Sequence, residues 1–115
     1  MATINGVDFG TVVRDAVDAA RGVVADPEAW KELKDIIKNV SDSLAADVRL
    51  IAKRKLSGEF NEADARVFLE DQKMVARIRI RSVAIIGLHK AEEVWNAVAT
   101  VFRRAIDTAI GWTVL

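Results

Sequence analysis

VWNAVATVFRRAI, residues 94–106, makes nine of thirteen consecutive positions apolar in a chain that is 30% charged. What covers these side chains decides the fold. Trp95, Ala99, Phe102 and Ile106 recur at steps of four and three, the spacing of one helix face. Val94, Val98, Val101 and Ala105 recur at the same steps on another side. A helix with two apolar faces requires two neighbours. Only a narrow polar strip through His89, Glu93, Asn96, Thr100, Arg103 and Asp107 is left for water.

Followed backwards, the first stripe continues through Glu92, Leu88, Ile85, Arg81, Ile78 and Met74, and the second through Ala91, Gly87 and Val83. No proline interrupts them after Asn61. Asn61 with Asp64 three residues on resembles a capping box, with Glu62 and Asp64 placed to favour the positive pole of a helix. The expectation is therefore one long helix over about 61–110, with Gly87 as a kink or a close helix contact at a cost of about 1 kcal/mol relative to alanine. Arg77-Ile78-Arg79-Ile80-Arg81 alternates with period two, as a strand does. The chain is read as offering no second alternating run and no hairpin turn to pair with it, so the segment is assigned to the helix.

Two shorter helices precede it. Phe9, Val13, Ala16, Ala20 and Val23 make one stripe of a helix over about 9–25. Asp26-Pro27 ends it and opens the next, since Asp caps free amides and Pro at the first helical position gives up no bond. Trp30, Leu33, Ile37, Val40, Leu44, Val48 and Ile51 then form a single stripe of a helix over 27–57. Lys53-Arg54-Lys55 suits the negative pole of its dipole, and Gly58 suits a left-handed cap.

Charge order favours an antiparallel hairpin of the second and third helices. Lys53 to Lys55 would lie beside Glu62 and Asp64, Arg49 level with Glu70, and Asp42 near Arg77. At 1.5 Å per residue the second helix is about 46 Å long and the third about 75 Å, so the third outruns its partner near residue 92. The first helix has only one apolar stripe, too little for two faces. These lengths lead to an all-α fold of three helices, a long antiparallel hairpin plus a shorter N-terminal helix, in one domain over 1–115. The overhang is expected to pack against other copies as a helical-bundle oligomer through Ile85, Leu88, Val94, Trp95, Val98, Val101, Phe102, Ile106 and Trp112.

Composition narrows the functional classes. The 17 basic and 17 acidic residues balance, which disfavours nucleic acid and anionic membrane as partners chosen by bulk charge. With no cysteine, disulfides, thiolate metal sites and thiol nucleophiles are excluded. No leader pattern or spanning run of about 18 apolar residues is read, so a cytoplasmic protein, or part of an assembled particle, is expected. His89 with Glu92 and Glu93, Glu93 first among the two, is the candidate for half of a metal site; a ferritin-like Glu-x-x-His is ruled out by Ile86. The single His and the absence of Cys and Tyr leave few groups that titrate near neutrality. No phosphate-binding glycine loop or nucleophile elbow occurs. The expectation is a non-enzymatic assembly subunit without a cofactor, bacterial or viral in context, that binds itself. The alternative is an adaptor binding another helical protein through the same surface, and the third reading is a metal-dependent helical-bundle enzyme.

Overall fold

Four helices carry the described residues, and side-chain caps set where the first three begin. The computed structural model describes residues 3–115, except for the side chain of Ala84. Helix α1 is Phe9–Val23, α2 Pro27–Leu56, α3 Glu62–Arg81 and α4 Gly87–Ile110. Asp8 caps α1 by accepting from the Gly10 amide, and Asp26 caps α2 by accepting from Glu28, with Pro27 at the first helical position. The capping box at α3 is complete: Asp64 N–H donates to Asn61 Oδ1 at 2.8 Å, and Asn61 N–H to Asp64 Oδ2 at 3.0 Å. Lys53, Arg54 and Lys55 occupy the last turn of α2, and Gly58 turns the chain with φ 77°.

The single helix expected over 61–110 is two helices. α3 stops at Arg81, Ser82 caps it, a single 3-10 turn spans Ala84–Ile86, and α4 starts at Gly87. Gly87 takes φ 75°, a left-handed conformation that costs other residues about 1–2 kcal/mol, so the helix cannot pass through it unbroken. The arginine-rich run is helical to its end. Its period-two look arises because Ile80 turns into the core while Ile78 points to water.

The break reverses the chain. Arg77 and Arg81 of α3 bond Glu92 of α4, and Lys55 at the end of α2 reaches the Ile110 carbonyl at the end of α4. α1 packs on α2 and α4, and α3 packs on the same two helices from the other side, giving an up-down-up-down bundle. α2, with 30 residues and so about 45 Å long, runs the whole 45 Å length of the molecule. Phe9, Leu33, Ile37, Ile51, Leu69, Ile80, Phe102 and Ile106 are fully buried in one cluster shared by all four helices.

This arrangement removes the overhang. With α4 folded back, α1 and α3 each take one of its apolar faces. Val94, Trp95, Val98, Phe102 and Ile106, expected to need a second molecule, are buried within their own chain, and Val101 and Trp112 are half-buried. The terminal segment is tied to the bundle as well. Gly111 caps α4 in the left-handed conformation, the Lys55 ammonium lies over the Trp112 ring, Thr113 bonds Glu62 and Arg66, and Val114 is buried.

Two smaller expectations are also corrected. A hairpin turn does occur: Asn5-Gly6, with φ 46° and 82°, joins two short strands, β1 (Thr3–Ile4) and β2 (Val7–Asp8), in register Ile4 to Val7. This is the Asn-Gly pair that a two-residue hairpin loop favours, and the Asn5 side chain donates to the Ala109 carbonyl near the end of α4. Of the charges expected to pair across the α2–α3 hairpin, Asp42 pairs with Lys38 of its own helix, Glu70 with Lys73, and Arg77 with Glu92. Partners one helical turn away, or on a third helix, are closer than those across the hairpin.

Candidate interaction surface

α3 carries two apolar stripes on opposite sides. Ala65, Leu69, Ala76 and Ile80 face inward and are buried. At 100° per residue, Val67, Met74 and Ile78 lie roughly half a turn away, with Val75 beside them. These four keep between 52% and 67% of their surface in water. An isolated exposed apolar side chain needs no explanation, but three in line on one helix with a fourth beside them form a patch. Asp71 lies within the stripe and has no ion-pair partner among the described residues, while Arg81 borders its far end.

The charge along this helix is polarised. Its first ten residues hold Glu62, Asp64, Glu70 and Asp71 against Arg66, and its second ten hold Lys73, Arg77, Arg79 and Arg81 with no acid. Acids near the N-terminus and bases near the C-terminus complement the helix dipole. The basic end is also held by its neighbours. Arg77 donates to both carboxylate oxygens of Glu92 at 3.1 Å, Arg81 donates to one of them through Nε at 3.1 Å and through Nη2, and Arg79 bonds the Asn39 side chain. The hydrogen bond from Arg81, and next that from Arg77, hold the Glu92 carboxyl below its ordinary range.

Ile85 and Leu88, also expected at an interface, are 53% and 69% exposed. They lie at the α3–α4 corner, where Ile85 and Ile86 line a cleft of about 290 Å³ with Val23, Val24 and Ala29. A second cleft of about 200 Å³ lies between α3 and α4, lined by Lys73, Arg77, Glu92, Trp95 and Arg103. Asp47, half-buried where α3 crosses α2, has its carboxyl pushed up by burial.

The metal candidates come together only as a pair. His89 Nε2 is 3.1 Å from Glu93 Oε1, but the His89 side chain is 92% exposed and Glu93 is also held by Lys90 at 2.9 Å. Lys90 is the main reason the Glu93 carboxyl is lowered, and Glu92 turns away towards the arginines. Among the described residues no three His, Asp or Glu side chains converge, and no helix is long and apolar enough to cross a membrane.

Val67 and Val75 are the surface residues that sequence reasoning missed. The signal lay in the spacing 67, 74, 78 set against 65, 69, 76, 80, which already shows two stripes on one helix. Only a structure tells which of them has a neighbour. Comparison with protein-family models, with curated proteins and with solved structures found no match for the chain.

Proposed function

We propose that this protein is a non-catalytic assembly subunit that associates with copies of itself through the outer face of α3. The observation that supports the reading is the second stripe. Val67, Met74 and Ile78 form an exposed apolar line, flanked by exposed Val75, on a helix whose opposite side is already committed to the core. Each large side chain removed from water contributes about 25 cal/mol per Å² of apolar surface, and a stripe at helical spacing suits another helix as its cover. In this reading the docking surface moves from the C-terminal helix to α3.

Met74→Asp with Ile78→Asp tests this. Both side chains project into water, so the double variant keeps its fold and helicity. Its mass by light scattering falls to that of one chain at concentrations where the wild type is larger. A wild type that stays a single chain up to about 1 mM, well above the micromolar range of ordinary specific complexes, would refute self-association.

A further inference from the structure

Resting on that reading, we infer that the occupant of the α3 face is α3 of a second copy, antiparallel about a two-fold axis beside Ala76, with Asp71 of each copy paired to Arg81 of the other. Charge decides the direction first. A parallel pair would set the acidic half of α3 against an acidic half and the basic half against a basic one. An antiparallel pair sets Glu70 and Asp71 against the Arg77 to Arg81 end, and it also opposes the two helix dipoles. The face is complementary to itself only when inverted, as a two-fold interface requires.

The register follows from the stripe. Val67, Asp71, Met74, Ile78 and Arg81 are spaced four, three, four, three, as in a coiled-coil seam. With the axis beside Ala76, Met74 meets Ile78 of the other copy and Asp71 meets Arg81, twice by symmetry. Sliding the pair by one heptad places Asp71 against Met74 and draws the two Asp71 carboxylates together in the seam, which leaves both unpaired. The first register alone uses every seam residue between 71 and 81. Arg81 has donors to spare: Nε and Nη2 go to Glu92, leaving Nη1, and 42% of its side chain is exposed. The overlap is short, so the dimer is a concentration-dependent one and not a permanent interface.

Sedimentation equilibrium on the full chain, with Asp71→Arg, Arg81→Asp and their equimolar mixture, tests the register. Asp71→Arg alone sets arginine against arginine, and Arg81→Asp alone sets aspartate against aspartate. Each is expected to weaken dimerisation by at least about tenfold, or 1.4 kcal/mol. In a mixed dimer both contacts become Arg with Asp again, so the mixture recovers wild-type dimerisation, and native mass spectrometry finds the heterodimer. Melting curves control for the loss of the Arg81 bond to Glu92, and Asp71→Arg removes no ion pair within the chain. If the mixture stays monomeric while Met74→Asp with Ile78→Asp still abolishes wild-type association, the face is right and the register is overturned. If the wild type is monomeric throughout, the reading of the face as self-associating falls with it.

Discussion

The apolar stripe of α4 and the outer stripe of α3 share one pattern and meet opposite fates. Met74 and Ile78 lie on the same four-three ladder as Trp95, Phe102 and Ile106, yet the first two stand in water while the last three are 4% exposed or less. The difference lies in the corner between them. Through Ser82 to Gly87 the chain reverses, so one ladder is cut into an outward piece and an inward piece. Periodicity states which residues share a face within a helix; it does not carry that face across a break.

The strongest contrast between the two stripes is in stability. Phe102→Ala removes a fully buried ring and should cost about 3–5 kcal/mol, whereas Ile78→Ala should change unfolding by less than about 0.5 kcal/mol. Urea unfolding of both, with the midpoints compared at equal slope, checks this. Similar costs at the two sites would break the distinction between them.

The corner comes next. No atom lies within 4 Å of where a Gly87 Cβ would stand, so Gly87→Ala meets no clash and its cost is conformational, about 1–2 kcal/mol for a left-handed φ. The melting temperature should fall by several degrees. An unchanged or raised melting temperature would mean that α3 and α4 tolerate a continuous helix, and with it a continuous ladder.

The clamp between the two helices gives the smallest effect. Glu92 titrates lower in the folded chain than unfolded, so the unfolded state binds more protons between the two values. Its contribution is present above the ordinary Glu range and is lost as pH falls through the folded value. Glu92→Gln should therefore be slightly less stable than the wild type at pH 7, with the gap closing in acid. Thermal melts across that range would show it, and a gap independent of pH would remove the electrostatic account.

Much of the fold was legible because end signals are local. Asp26-Pro27, the Asn61 to Asp64 capping box and Gly58 each act within a few residues, and the α2 stripe has one face and one meaning. Gly87 was legible as a defect but not as a reversal, since a glycine in a helical pattern is compatible with a kink, a close contact or a stop. The hairpin at Asn5-Gly6 is visible in the dipeptide alone, because its strands hold two residues each, too few for alternation to show. The candidate surface was half legible. Met74 and Ile78 stood in the stripe, but which stripe lacked a cover depended on α1 and α3 both closing on α4, contacts far apart in sequence.

The most direct test places two double variants side by side, Trp95→Asp with Phe102→Asp and Met74→Asp with Ile78→Asp, and measures helicity and mass together. Burial of the first pair and exposure of the second predict that the α4 variant loses its helical signal as an unfolded chain, while the α3 variant keeps full helicity at the mass of one molecule. A folded single chain from the α4 variant, with the α3 variant still associated, would return the interface to the C-terminal helix and contradict the account.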